Sequence, residues 1–204
     1  MIDQRSSWES FYSTNNRPWK GVADLKDVPF AEGSHILEIG CGNGKTAMAL
    51  TDMGYRVTGV DFSESAIDMC RKIVKGNTKF LCADVQKMPF DDGKFDGAVI
   101  FHVLEHLTEE QQGTAVKEIE RVLKNDSPIM IKAFSKGDMR SDKGIRIDDS
   151  TVIRGNGIMY HYFTKDELCQ LFSGCICESI STINETTRFG ETRSRIQAVF
   201  RTHV

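Results

Sequence analysis

The 204-residue sequence has no long apolar run, no clustered cysteines and no excess of basic residues. None of its apolar stretches approaches the ~20 residues that a membrane-spanning helix needs. The first eight residues, Met1 to Trp8, are polar, so no signal peptide is predicted at this end. The sequence therefore favours a globular protein with no membrane partner.

The six cysteines are spread along the chain without a Cys-x-x-Cys pair or a cysteine–histidine cluster of zinc-binding spacing. We therefore expect no metal site. Unpaired thiols are typical of a reducing compartment, which favours a cytoplasmic location. The cysteines are Cys41, Cys70, Cys82, Cys169, Cys175 and Cys177.

Basic residues are too few for a dedicated nucleic-acid binder. The sequence has 26 Lys and Arg against 29 Asp and Glu, which gives a formal net charge of −3. Proteins specialised for nucleic acids or membrane surfaces usually carry a net positive charge. Within residues 135–160, acidic residues largely offset the basic ones, although a local positive patch is still allowed. We therefore expect no nucleic-acid partner, and a monomer or weak homodimer.

Short apolar runs alternate with helical patterns from residue 35 to residue 134. This alternation predicts an α/β fold, doubly wound, with a parallel sheet and helices on both faces. Two later runs, 175–183 and 194–201, are joined by a connection too short for a crossover helix, so they are predicted to pair antiparallel. The other predicted strands are 35–39, 56–60, 78–82, 95–101 and 128–134, and helices are predicted to begin near Gly44, Ser63, Glu109 and Thr164.

No internal repeat divides the chain, so we predict one domain over residues 1–204. Residues 1–34 precede the alternating pattern and carry aromatic side chains at helical spacing, which predicts a helical cap. Residues 135–160 are polar and glycine-rich and show no period. They are therefore predicted to form a loop on the substrate side of the fold.

Three glycines at alternate positions follow the first predicted strand, in Glu38-Ile-Gly-Cys-Gly-Asn-Gly44, and the next strand ends in Asp61. A strand, a glycine turn, a helix, a strand and a terminal acid form a nucleoside-binding unit. A dinucleotide fingerprint would need glycine at position 45, which is Lys45. A phosphate-binding P-loop would need glycine at position 39, which is Ile39. The remaining interpretation is Gly-x-Gly-x-Gly preceded by an acid.

In these residues the sequence resembles the class I S-adenosylmethionine-dependent methyltransferases. Other matching motifs are Val60–Ser63, Cys82–Val85, Phe95–His102 with Glu105–Leu107, and Glu120–Lys124. The resemblance implies a seven-stranded, mostly parallel sheet in the order 3-2-1-4-5-7-6, with strand 7 antiparallel. It also implies S-adenosyl-L-methionine as cofactor and S-adenosyl-L-homocysteine as product.

The resemblance assigns cofactor contacts to residues at the strand ends. Glu38 is expected to offset the positive charge of the cofactor, and Asp61 to bind both ribose hydroxyls. Phe62 is expected against the adenine, with Asp84 reading its amino group beside the Val85 amide. The full predicted cofactor set is Glu38, Gly40, Cys41, Gly42, Gly44, Asp61, Phe62, Ser63, Asp84, Val85, Phe101, His102, Val103, Tyr12 and Trp19.

Two histidines are predicted as catalytic residues, because an acceptor that must lose a proton needs a base nearby. His106 follows the fourth strand, where ligands bind in open α/β sheets, and lies one helical turn after His102. His161 follows the polar segment 135–160. The alternative role for His106 is a hydrogen bond to the backbone at a helix boundary.

Aromatic residues of the N-terminal segment provide a further wall for the predicted pocket. Tyr12 and Trp19 are expected to close it, and an aromatic ring there would stabilise a sulfonium by cation–π attraction. A hydrophobic contact that holds the N-terminal helix to the sheet is an equally good interpretation.

The predicted function is the transfer of a methyl group to a small molecule that enters between residues 8–20 and 135–160. Transfer to protein or RNA, and a non-catalytic cofactor-binding or regulatory role, are the alternatives. No Asn-Pro-Pro-Tyr or Asp-Pro-Pro-Tyr motif follows the fourth strand, where His102-Val-Leu-Glu105 stands instead. This absence argues against methylation of an adenine or glutamine amino group.

Overall fold

The structure, a computed structural model, describes residues 4–15, 18, 21, 23, 25 and 27–203. The strands are β1 His35–Ile39, β2 Arg56–Asp61, β3 Thr78–Cys82, β4 Gly97–Phe101, β5 Pro128–Phe134, β6 Ile145–Arg146, β7 Thr151–Ile153, β8 Met159–His161, β9 Cys175–Thr186 and β10 Thr192–Thr202. The helices are α1 Gln4–Thr14, α2 Lys45–Asp52, α3 Glu64–Ile73, α4 Glu109–Val122 and α5 Lys165–Leu171, with a short 3-10 helix at Leu104–His106.

Seven strands form one sheet in the order β3-β2-β1-β4-β5-β10-β9. The first five pair parallel, whereas β10 pairs antiparallel with both β5 and β9. This confirms the predicted order and the antiparallel seventh position. Parallel pairing brings the carboxyl ends of β1, β2, β3 and β4 to one edge, which is where the sequence motifs lie.

Alternate residues of the central strands face opposite sides of the sheet and bury separate cores. Leu37 of β1 belongs to a core with residues of α4 and α5, such as Ile119 and Leu168. Ile36, the neighbour of Leu37, belongs to a second core with Leu50 of α2. Helices therefore cover both faces, as predicted for a doubly wound fold.

Side-chain caps define where three of the helices begin. Ser63 Oγ accepts a hydrogen bond from the Ala66 N–H at the start of α3. Thr108 before α4 and Thr164 before α5 each form a capping box, in which side chain and backbone of the first turn bond reciprocally. These local signals explain why the predicted helix starts are close to those in the structure.

The segment 135–160 differs from the predicted loop, because β6, β7 and β8 form a small antiparallel sheet there. Each strand has only two or three residues, too few for the alternation that marks a strand in a sequence. The bounds of longer strands also differ: β4 begins at Gly97, and the final pair extends to Thr186 and from Thr192. No helix of the described residues is long and apolar enough to cross a membrane.

The N-terminal cap is the helix α1, which forms hydrogen bonds to α3 and to the small sheet. Glu9 accepts hydrogen bonds from the hydroxyls of Ser63 and Ser65 at the start of α3. Gln4 bonds to the Gly157 carbonyl and accepts from the Met159 N–H of the small sheet. Helix α1 therefore spans the gap between α3 and the small sheet, across the edge where the parallel strands end.

Candidate active site

A cavity of about 630 Å³ lies at the carboxyl ends of the parallel strands. Ligands in open α/β sheets bind at this edge, near the point where the strand order reverses. Here the order reverses between β1 and β4, whose ends bring Gly40 and His102 to the cavity. Helix α1, the segment 103–111 and the small sheet supply the other walls.

Gly40, the first glycine of the turn after β1, lines this cavity. Gly40, Gly42 and Gly44 have positive φ angles of 66°, 53° and 76°. A residue with a side chain adopts this left-handed conformation at a cost of roughly 1–2 kcal/mol. A Cβ atom at Gly40 would also lie 2.3 Å from Cγ2 of Val103, too close for any side chain. Glycine at position 40 therefore lets the backbone turn while its surface stays open to a ligand.

The carboxylate of Asp61, at the end of β2, ties the glycine turn to the start of α3. Its Oδ2 accepts from the Gly42 N–H at 3.0 Å, and its Oδ1 accepts from the Ser63 N–H at 3.0 Å. Burial raises the pKa of Asp61 to about 6, although these hydrogen bonds oppose the rise. A carboxylate has about four acceptor positions, so Asp61 can accept further hydrogen bonds from a ligand in the cavity it lines.

Glu38 lies in β1, two residues before Gly40, and is 4% exposed. Burial, with the charge of Asp61, raises the pKa of Glu38 to about 8. One of its oxygens, Oε2, is buried and has no hydrogen-bond partner within the described part of the chain. Buried polar atoms are normally paired, so this oxygen is an open acceptor two residues before the glycine turn, although Glu38 itself is not part of the cavity lining.

Asp84 and Phe62 form the end of the cavity nearest β3. Asp84 Oδ1 accepts from the Gln86 N–H at 2.9 Å, and its Oδ2 lies 3.1 Å from Nη2 of Arg5. The guanidinium of Arg5 also lies 5.6 Å from the centre of the Phe62 ring. An α1 side chain thus covers this end of the cavity by contacts to both residues.

His106 contributes to the wall beyond β4. Its Nδ1 lies 2.7 Å from the carbonyl oxygen of Met159. Because a carbonyl can only accept, Nδ1 carries the proton and Nε2 is left as an acceptor. Burial lowers the pKa of His106, which keeps the ring neutral near pH 7. The rings of Trp8 and Tyr160 pack edge-on against it, each at 4.8 Å.

Several known proteins similar to this chain are named as methyltransferases. Residues 37–131 match the family described as a methyltransferase domain. The tRNA N(3)-cytidine methyltransferase METTL2 of Gallus gallus is 28% identical over 181 residues, covering 81% of this chain and 49% of the relative. A demethylmenaquinone methyltransferase of Clavibacter sepedonicus is 34% identical over 123 residues, covering 59% of this chain and 49% of the relative. A SAM-dependent methyltransferase of Methanosarcina mazei has the same fold, with a TM-score of 0.77 at 22% identity, covering 89% of this chain and all of that one.

Residues 37–131 therefore form a methyltransferase domain, and the fold is that of the class I S-adenosylmethionine-dependent methyltransferases. This confirms the resemblance given by the glycine turn and the strand-end motifs. The chain spans about half the length of the two curated relatives.

The cavity of this methyltransferase fits S-adenosylmethionine in three respects. Gly40 lines the cavity and has no side chain to fill it. Asp61 offers acceptor positions to two ribose hydroxyls. Glu38 has an unpartnered oxygen and a raised pKa, so a positively charged ligand would both satisfy and ionise it.

Eight of the fifteen predicted cofactor residues line the cavity, whereas Glu38, Gly42 and Gly44, like Cys41, Ser63 and Phe101, are not part of its lining. The lining includes Gly40, Asp61, Phe62, Asp84, Val85, His102, Val103 and Tyr12. Cys41 is buried against Cys70, with the sulfur atoms 3.7 Å apart. Ser63 caps α3, and the Phe101 ring lies 4.8 Å from the Lys132 ammonium rather than in the lining. Trp19 lies outside the described residues.

His161 does not line the cavity. Its Nδ1 lies 3.0 Å from the Thr151 hydroxyl, and its ring packs edge-on against Phe163 at 4.5 Å. Burial lowers the pKa of His161. The ring of His161 is thus held by Thr151 and Phe163 outside the cavity lining, which gives no support to its predicted catalytic role.

Several cavity residues are missing from the predicted set, among them Trp8, Arg5 and Met159. Trp8 stands one helical turn before Tyr12, and this spacing was the available signal, since the two rings stack at 5.6 Å. Arg5 shares the same face of α1 and gave no separate signal. Met159 is brought in by the small sheet, through contacts to His106 and Gln4 that no local pattern indicates.

Replacing Gly40 with alanine should lower the free energy of unfolding, measured by urea denaturation. The left-handed backbone contributes about 1–2 kcal/mol, and the overlap with Val103 contributes about 1–3 kcal/mol. Adding Val103→Ala should recover the second contribution only. The matched control is Gly113→Ala in α4, where no atom lies within 4 Å, and it should stabilise the protein by about 0.5–1 kcal/mol. Equal effects of Gly40→Ala and Gly113→Ala would contradict this account of the turn.

Proposed function

We propose that this methyltransferase transfers a methyl group from S-adenosylmethionine to a small, uncharged and largely apolar acceptor. The observation that supports the proposal is that the same cavity has a polar side suited to a nucleoside and an aromatic side suited to an apolar acceptor. At one side are Asp61 and the glycine turn, which suit a nucleoside. At the other are Trp8 and His106, which suit a flat apolar molecule with one proton to release.

When bound, S-adenosylmethionine supplies a methyl group on a positively charged sulfur. The chain would hold it through hydrogen bonds to Asp61, the negative charge of Glu38 and close approach to Gly40. With the cofactor held this way, much of the rate would come from the placement of the acceptor and from the electrostatics of a closed site.

The acceptor side of the cavity is mainly apolar, which supports an uncharged acceptor. Trp8, Tyr12, Leu107 and Met159 line it, and Nε2 of His106 is an acceptor for a hydroxyl or N–H group. A charged acceptor would need a counter-charge here, since burial of an unpaired charge is costly. Arg5, the arginine of the lining, pairs with Asp84, and three basic residues of the segment 135–160 are held in ion pairs. The contacts are Arg140–Asp138, Lys143–Glu191 and Arg146–Asp142, with Arg154 at 4.0 Å from the Tyr160 ring centre.

A base of an RNA is the second candidate acceptor. METTL2, a tRNA N(3)-cytidine methyltransferase, matches most of this chain, so the charge-based expectation of no nucleic-acid partner is weakened. A base turned out of its stack is flat and uncharged and would suit the same aromatic pocket. The other relative is named as a demethylmenaquinone methyltransferase, a small-molecule enzyme, and each match covers about half of the relative. Both acceptor classes therefore enter the test.

The test follows labelled methyl groups from S-adenosylmethionine into two acceptor pools, a small-molecule extract and total tRNA. We expect label in small molecules that survives ribonuclease, and loss of that label in Trp8→Ala. Label in tRNA that ribonuclease releases would replace the first candidate with the second. Calorimetry with S-adenosylmethionine and S-adenosylhomocysteine accompanies the assay. Binding without transfer to either pool would favour a non-catalytic role, and absence of binding would overturn the proposal.

A further inference from the structure

We propose that His102 accepts the proton that the methyl acceptor releases, and that the buried carboxylate of Glu105 positions it for this role. The inference rests on the proposed methyl transfer. It assigns to His102 a function different from the cofactor contact predicted for it, and it gives Glu105 a role that the sequence motifs do not.

Glu105 and His102 form a hydrogen-bonded pair at the edge of the cavity. Glu105 is fully buried, and its Oε1 lies 2.9 Å from Nδ1 of His102. The same oxygen accepts from the Phe134 N–H at 3.1 Å, which fixes the carboxylate to β5. Because an ionised carboxylate can only accept, Nδ1 of His102 carries the proton. The lone pair is then on Nε2, and His102 lines the cavity.

The backbone and the ring of His102 are held in one orientation. Its φ angle of 58° lies in the left-handed region, which is uncommon for a residue with a side chain. Its ring stacks on Phe134 with the ring centres 4.2 Å apart and the planes 23° apart. The Arg140 guanidinium lies 4.5 Å from the centre of the same Phe134 ring. Two planar groups cannot share one face at these distances, so Phe134 lies between His102 and Arg140.

Glu105 is ionised in this setting. Burial would raise its pKa, but hydrogen bonds, chiefly the one from His102, outweigh burial and hold the pKa of Glu105 below its usual value. Other charged groups around the pair are Arg140, across the Phe134 ring, and Arg154, whose field reaches His106. A buried negative charge next to an imidazole stabilises the imidazolium that forms on proton uptake.

The two histidines of the cavity therefore have different chemistry. The Nδ1 of His106 donates to a neutral carbonyl, that of Met159, and burial lowers the pKa of His106. The Nδ1 of His102 donates to a full carboxylate charge. His106 is suited to accept a hydrogen bond and orient the acceptor. His102 is suited to take the proton, since its charged form has a counter-ion.

The proposed step is a displacement at the methyl carbon of the cofactor. A lone pair of the acceptor atom forms a bond to the methyl carbon, and the carbon–sulfur bond breaks with its electron pair left on sulfur. The acceptor atom loses its proton to Nε2 of His102. Glu105 stays ionised throughout and neutralises the imidazolium, which returns the proton to solvent after product release.

The first test reads the tautomer of His102 by ¹⁵N nuclear magnetic resonance and needs no acceptor. In the unliganded protein at pH 8, we expect His102 with the proton on Nδ1. Glu105→Gln keeps Oε1 as the acceptor and should keep this tautomer. Glu105→Leu removes the acceptor, so His102 should then be a mixture of the two tautomers. A wild-type His102 with its proton on Nε2 would overturn the proposal.

The second test separates charge from geometry in turnover, using the pool that takes label. Glu105→Gln should lower kcat by about 100-fold with little change in KM, because the counter-charge is lost while both hydrogen bonds remain. In His102→Asn, the asparagine can adopt the left-handed backbone conformation, and kcat should fall by a similar factor. The matched control is the exposed His203→Asn, which should keep full turnover. Affinity for S-adenosylhomocysteine should stay within about threefold in all three variants.

The outcomes separate this proposal from the proposed function. Full turnover in His102→Asn or in Glu105→Gln, with cofactor binding intact, would overturn the role of the pair and leave methyl transfer standing. Absence of cofactor binding in the wild-type protein would remove the proposed function itself. Loss of turnover together with loss of fold in Glu105→Gln would assign Glu105 to structure alone.

Discussion

Asp61→Asn should lower the affinity for S-adenosylhomocysteine by about 100-fold or more. The carboxylate of Asp61 is expected to accept hydrogen bonds from two ribose hydroxyls, each contributing about 1.5–3 kcal/mol because the acceptor is charged. Loss of ~3 kcal/mol corresponds to roughly two orders of magnitude in the dissociation constant. Isothermal titration calorimetry at pH 7.5 measures the change, at a pH well above the Asp61 pKa of about 6.

The same substitution also tests the internal role of Asp61, so fold and binding must be measured separately. In the variant, one of the Gly42 and Ser63 N–H groups would face an amide N–H₂ in place of an oxygen. This should cost about 1–3 kcal/mol of unfolding free energy. The matched control is Asp68→Asn on α3, since Asp68 is exposed and forms an ion pair with the exposed Arg71. Unchanged affinity in a folded Asp61→Asn protein would contradict the ribose role.

The strand-end motifs were predictable because their chemistry is local. The turn after β1 needs positive φ angles, and glycine, the residue that adopts them without strain, stands at Gly40, Gly42 and Gly44. The helix starts were predictable for the same reason, since Ser63 and Thr164 bond to backbone groups only three residues away. The parallel order then follows from the family resemblance and places Asp61 beside the glycine turn.

The acceptor side was not predictable, because distant parts of the chain build it. The hydrogen bond from the Met159 N–H to Gln4 joins residues 155 positions apart. The tautomer of His106 depends on the carbonyl of the same Met159. This residue is placed beside His106 by β8, a strand of three residues. No sequence period marks so short a strand, and no local rule says that Glu105 turns inward to His102. Features that depend on neighbouring residues can therefore be predicted from the sequence, whereas features that depend on packing between distant segments cannot.

Binding of S-adenosylmethionine at pH 7 should release nearly one proton, and Glu38 should be its source. The pKa of Glu38 is about 8 in the unliganded protein, so its carboxyl group is mostly protonated at pH 7. A cation close to this group favours the ionised form and lowers its pKa. Asp61, with a pKa of about 6, is already mostly ionised and contributes little. Calorimetry in two buffers of different ionisation enthalpy measures the number of protons released.

The affinity should depend on pH in a direction set by this release. Below the Glu38 pKa, each unit by which the pH falls should weaken cofactor binding by about tenfold, because one proton must leave Glu38 on binding. Glu38→Gln should remove both the slope and the proton release. S-adenosylhomocysteine keeps the ammonium group but lacks the sulfonium, so proton release with both ligands would place Glu38 near the ammonium. Release with neither would contradict the charge-balancing role.

The stability of the unliganded protein should change in the opposite direction. A carboxyl group whose pKa is raised by folding stabilises the fold while protonated, and this contribution is lost as the pH rises through the folded pKa. For Glu38 the loss extends up to about pH 8. Burial lowers the pKa values of His35, His106 and His161, which affects stability mainly below pH 7. Between pH 7 and 8 the free energy of unfolding should therefore fall in the wild-type protein and stay level in Glu38→Gln, as cofactor affinity rises.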